Sequence, residues 1–117
     1  MTVATKKLLL DVREAGGSIL QHTAGYTLPE YSVDRFFRRA VEREFEIIGE
    51  ALKRIEQSDS ATAASISELR RIVDFRNRII HGYDTVDDAV VWGIVEKRLP
   101  LVMKEVVALL EASGPTG

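Results

Sequence analysis

Apolar residues recur along this chain at helical spacing, and no stretch alternates with the period of a strand. Leu8, Val12, Ala15 and Ile19 follow one another at steps of four, three and four, which predicts a first helix from about Thr5 to Ala24. Gly16-Gly17 interrupts its seam, a place for a bend or a close helix approach. Gly25 suits a left-handed helix end, and Tyr26 to Tyr31, with Pro29 inside, reads as a loop. A second helix is predicted from an N-cap at Ser32 to about Gln57. Its stripe of Phe37, Val41, Ile48, Leu52 and Ile55 is broadened by Phe36, Ala40, Phe45, Ile47 and Ala51, enough to pack on two sides. After a small-residue connection over 58–64, the capping box Ser65 to Glu68 opens a third helix, which runs to Ile80 or His81 and stops at Gly82.

A second box, Thr85 to Asp88, opens a fourth helix whose body (Val90, Val91, Trp92, Ile94, Val95) is apolar on several sides. Pro100 fits the first turn of a fifth helix ending near Ala112, and the pattern leaves open whether the last two are separate or one kinked rod. The expected fold is all-α: an antiparallel four- to five-helix bundle with up-and-down topology, one domain over residues 1–112, followed by a disordered tail over 113–117.

One position breaks the pattern. In the third helix Ile66, Leu69, Ile72, Val73, Ile79 and Ile80 form an apolar arc, and Arg76 lies roughly 20° from its middle at ~100° per residue. A guanidinium aimed at the core needs an ion pair or a polar cleft. Glu46 and Glu50, close to the stripe of the second helix, are its candidate partners.

Composition narrows the function classes. The 117 residues carry 29% charged side chains of both signs and a net charge of -2, so any contact with RNA is local rather than the work of a broad basic field. No apolar run reaches the ~18 residues that span a bilayer, and Asp11, Arg13 and Glu14 interrupt any signal-peptide core. The absence of cysteine excludes disulfides and thiolate metal sites and fits a cytoplasmic protein. With only His22 and His81, far apart in sequence, no metal site or cofactor is expected.

The chemistry concentrates in Arg76-Asn77-Arg78-Ile79-Ile80-His81-Gly82-Tyr83. Asn77 and His81, four apart, stack on one side of the last turn, whereas Arg76 and His81 are roughly 140° apart on an ideal helix. Their convergence needs a swung arginine or a two-fold copy of the same helix facing it. Such a cleft, flanked by Arg78, Arg70 and Arg71, would be cationic and suited to phosphate. Histidine could then move a proton while arginine steadies charge growing on phosphorus, as in metal-independent RNA cleavage. The residues alone favour a plain structural role over this one. His81 would complement the helix dipole, Arg76 would be a core ion pair fixing dimer register, and Tyr83 would fold over the helix end.

The same run resembles the Arg-x4-His-x-Tyr signature of the HepT-like branch of the HEPN superfamily. Phe45 to Ile55, containing Ile47-Ile48-Gly49-Glu50-Ala51, resembles that family's second-helix block, and Trp92 with Leu99-Pro100 resembles its fourth-helix tryptophan and Leu-Pro. The likeness covers about Lys7 to Leu110, although the proline and tryptophan that family members often carry in the 58–64 connection are missing. The resemblance implies a homodimeric helical bundle whose signature motifs line an interfacial cleft. It implies an endoribonuclease toxin paired with a minimal nucleotidyltransferase antitoxin. Arg76 and His81 would serve cleavage with help from Asn77, and Tyr83 would be the residue the partner adenylylates. A non-catalytic, nucleotide-binding partner of such a transferase is the alternative.

Overall fold

The computed structural model describes residues 1–82 and 86–114. In chain order these form α1 (Val3–Thr23), α2 (Leu28–Val33), α3 (Arg35–Ser58), α4 (Ser60–Ala63), α5 (Leu69–His81), α6 (Asp88–Gly93), a π-helical turn (Ile94–Arg98) and α7 (Leu99–Ala112). There is no strand among the described residues, and the expected all-α bundle is the fold. The broad stripe of α3 packs against both α1 and α5, and α7 closes on α1. Phe45, Ile48, Leu52 and Ile55 of α3 are fully buried, facing a core that includes Leu9, Val12, Ile72, Val73, Val102 and Val106. Burial of each such side chain stabilises by about 1.5–3 kcal/mol, so the pattern of the long helices decides the fold.

The boundaries differ from expectation where a side chain found a better partner. Residues 28–33 form a helix, not a loop. Thr27 caps it, and the Glu30 side chain accepts from the Thr27 N–H at 2.9 Å, a capping box that tolerates Pro29 in the first turn. Tyr31 anchors this turn, fully buried with its ring centroid 5.1 Å from that of Trp92. Burial pushes its phenol pKa far above the ordinary value, and the nearby carboxylates Glu42 and Asp88 add to the effect. With that turn folded, the N-cap of α3 is Asp34, which accepts from the Phe37 N–H at 3.0 Å, and not Ser32. Phe36 sits on the solvent side at 86% exposure, so it does not broaden the core stripe. In α1 the buried seam runs through Leu9 rather than Leu8.

The start of α5 is also built differently. Glu68, not Ser65, is its N-cap residue, and it makes no side-chain cap bond. Its carboxylate instead pairs with Arg71 at 3.2 Å and Arg98 at 3.4 Å. The turn is secured from across the bundle, where Glu105 of α7 accepts from the Ser67 N–H at 3.1 Å and from its hydroxyl at 3.1 Å. Residues 60–63 of the supposed connection form one helical turn, capped by Asp59.

Thr85 lies outside the described residues; Asp87 caps α6, accepting from the Ala89 N–H at 2.8 Å. The last two predicted helices join as one rod through the π-turn. There the Leu99 N–H reaches back five residues to the Ile94 carbonyl, just ahead of Pro100, which has no N–H to offer. Of the predicted tail, Gly114 is tied down, its carbonyl accepting from Lys6 Nζ at 2.8 Å.

Candidate active site

Arg76 is where the sequence placed it, on the inner side of α5, and its surroundings show how a cation is accommodated there. Gly49 of α3 lies directly beneath it. A methyl group at Gly49 would overlap the Cβ and Cγ of Arg76, so the missing side chain is what lets the arginine stem lie across α3. One residue further on, Glu50 Oε2 accepts from Arg76 Nη2 at 2.7 Å. Of the two carboxylates left open by the sequence, Glu50 is the partner, while Glu46 faces Arg43 at 3.6 Å. Asn77 Oδ1 accepts from Arg76 Nη1 at 2.9 Å. The Nε of Arg76 is buried without a hydrogen-bond partner among the described residues. The side chain retains 17% exposure, so its head reaches a surface.

That surface is an open groove of about 310 Å³ between α1, α3 and α5, lined by Leu8, Asp11, Arg43, Glu50, Arg54, Arg76 and Ile80 among others. Glu50 bridges two arginines in it, since its Oε1 also accepts from Arg54 Nε at 3.0 Å. Two cations on one carboxylate leave a single net positive charge. The neighbouring carboxylates are already matched, Asp11 by Lys7 at 2.5 Å and Glu46 by Arg43. The groove is therefore not broadly cationic. It offers one positive position, on the arginine pair held by Glu50.

His81 ends α5, exposed, and is not among the residues lining the groove of Arg76. Among the described residues of one chain the link between the two is indirect: Asn77 touches Arg76 and lies one helical turn before His81. The flanking arginines do not gather around Arg76. Arg70 is held by Glu56 and Asp74, which raise its pKa with Glu56 the larger cause, and Arg71 is held by Glu68. Arg78 lines a separate small cleft with Phe75, Val86, Asp87 and Val90. Tyr83 lies outside the described residues.

Arg54 and Arg43, not singled out from the sequence, also line the groove. The signal for this was Gly49-Glu50 itself, a helix-breaking residue inside a strongly amphipathic helix, followed by a carboxylate near the core. No helix among the described residues is long and apolar enough to cross a membrane.

The fold and this groove define a helical bundle that presents an arginine from its core side to the surface. Comparison with known proteins then places the chain in a family. Residues 12–109 match the family described as "Ribonuclease HepT-like", and the chain belongs to that family. It is 31% identical over 101 residues to "Putative RNase MJ1380" of Methanocaldococcus jannaschii, covering 86% of this chain and 92% of the relative. It is 33% identical over 95 residues to "Probable ribonuclease HepT" of Thermococcus cleftensis, covering 81% and 86%. No solved structure matches the chain.

Proposed function

We propose that this protein is a metal-independent endoribonuclease that acts as the toxin of a toxin–antitoxin pair. In this reading the substrate's 2′-oxygen attacks phosphorus and the bond to the 5′-oxygen breaks. The proton of the 2′-hydroxyl is replaced by one delivered to the 5′-oxygen, so the products are a 2′,3′-cyclic phosphate and a 5′-hydroxyl. His81 is the general acid/base for these transfers, Arg76 stabilises charge on the phosphoryl oxygens, and Asn77 assists from between them. Arg78, Arg71 and Arg70 are the assigned RNA-contacting residues. The carboxylates on Arg70 and Arg71 limit those two to exchanging one anion for another.

The observation that carries this reading is Arg76: a guanidinium on the core side of α5, held by Glu50 and Asn77, with its head exposed in a groove. The names of the relatives support the reaction class. Because Arg76 and His81 do not share a groove in one chain, the reading includes a homodimer in which His81 of one copy is brought to Arg76 of the other. The partner is a minimal nucleotidyltransferase that adenylylates Tyr83. An AMP group there would place phosphate charge where RNA must bind. The protein acts in the cytoplasm.

The test is cleavage of short RNAs by the purified chain in the presence of a chelator. Wild type should yield 2′,3′-cyclic phosphate ends, and His81→Ala should remove cleavage without loss of helicity. An equally active His81→Ala would refute the assignment. Intact mass after co-expression with a nucleotidyltransferase should show added AMP units that Tyr83→Phe abolishes.

A further inference from the structure

We infer that Glu50 is a positioning residue for Arg76, holding its guanidinium in the one orientation that offers a grip for a single phosphodiester. The inference rests on the ribonuclease reading above and assigns a role to a residue outside the signature run. Its basis is the inventory of donors on Arg76. A guanidinium carries five N–H groups, one on Nε and two on each terminal nitrogen. Here Nη2 spends one on Glu50 and Nη1 spends one on Asn77, while Nε is buried. What remains is one N–H on each terminal nitrogen, a two-pronged donor suited to two oxygens of one phosphate.

Both neighbours fix that orientation from opposite ends of the fork, and Gly49 sets the height of the stem above α3. Glu50 is itself steadied, since Arg54 occupies its other oxygen. The charges agree with the geometry. Arg54, Glu50 and Arg76 together carry one net positive charge, the complement of one phosphodiester. Among the described residues a long track of phosphates finds no row of free cations along this groove, because Arg43 is paired to Glu46 and Arg54 to Glu50. Neutralising Glu50 would make the groove more cationic and yet leave Arg76 free to turn. Attraction for RNA would persist while the aim is lost.

The experiment compares wild type with Glu50→Gln, which keeps the shape of the side chain and removes its charge. Rates of RNA cleavage are measured with Arg76→Ala and the double variant in the same series. At a temperature where circular dichroism shows all four folded, Glu50→Gln should lower kcat by about 10²-fold, the cost of a misplaced catalytic group, with KM unchanged or reduced. In the Arg76→Ala background the same change should add nothing, because Glu50 acts through Arg76. A Glu50→Gln enzyme with wild-type kcat, or a loss that adds in full to that of Arg76→Ala, would overturn the inference.

Wild type that cuts no RNA would instead sink the ribonuclease reading. The positioning claim would then be read by NMR of the guanidinium of Arg76, its signals assigned by their absence in Arg76→Lys. Separate, slowly exchanging terminal N–H signals that merge in Glu50→Gln support the hold by Glu50, and signals indifferent to the substitution overturn it.

Discussion

Replacing Gly49 with alanine tests the contact on which the site is built, and the protein supplies its own control. In a helix interior alanine is favoured over glycine by about 0.5–1 kcal/mol. At Gly17 of α1 an added methyl meets nothing within 4 Å, so Gly17→Ala should collect that gain. At Gly49 the same methyl overlaps Arg76 Cγ and, closer still, Arg76 Cβ, which is bonded to the α5 backbone so that no side-chain rotation can move it away. Overfilling a packed contact costs about 1–3 kcal/mol, which set against the propensity gain leaves a net loss of up to about 2.5 kcal/mol. At about 4 °C per kcal/mol for a chain of this size, Gly17→Ala should melt about 2–4 °C higher than wild type and Gly49→Ala up to about 10 °C lower. Gly16→Ala should fall between, since the atom it meets first is the flexible sulfur of Met103. Thermal and urea unfolding of the three variants gives the answer. Gly49→Ala as stable as Gly17→Ala would show that α5 does not ride on α3 at this point, and the account of how Arg76 is seated would be wrong.

Two further substitutions probe packing away from the groove. Tyr31→Phe should be neutral or stabilise by up to about 1 kcal/mol, because the buried hydroxyl has no hydrogen-bond partner among the described residues. A loss of more than about 1 kcal/mol in urea unfolding would mean that the hydroxyl is bonded after all. Glu105→Ala removes the acceptor for both the N–H and the hydroxyl of Ser67 and should cost about 1–2 kcal/mol, with faster amide exchange at Ser67. Unchanged exchange there would show that α7 does not secure the start of α5.

The long helices were legible because each buries an apolar stripe whose period local sequence displays. Arg76 was legible for the same reason, as the one cation within such a stripe. The choice between Glu46 and Glu50 was not, since both border the stripe of α3 and only the seating of α5 over Gly49 decides between them. The turn at 28–33 was missed although its signal, Thr27 followed by Glu30, has the form of the boxes found elsewhere; Pro29 drew the reading towards a loop. The box at Ser65 and Glu68 was the converse error. Its local chemistry was sound, but Arg98 and Glu105 came from a distant part of the chain and made better bonds. Whether Arg76 meets His81 was beyond local pattern altogether, because within one chain the helix turns them apart.

The wide turn at Ile94–Arg98 lets a single rod serve two neighbours. Ahead of it Trp92 stacks on Tyr31, and beyond it α7 lies against α1. Winding the same residues as an unbroken α-helix would turn everything downstream by about one residue's angle, roughly 100°. Arg98 would leave Glu68, Glu105 would leave Ser67, and the mooring of the helix that carries Arg76 would go with them. The spelling of that segment matters less than its winding: the wide turn takes up one surplus residue and so keeps two halves of the bundle in phase.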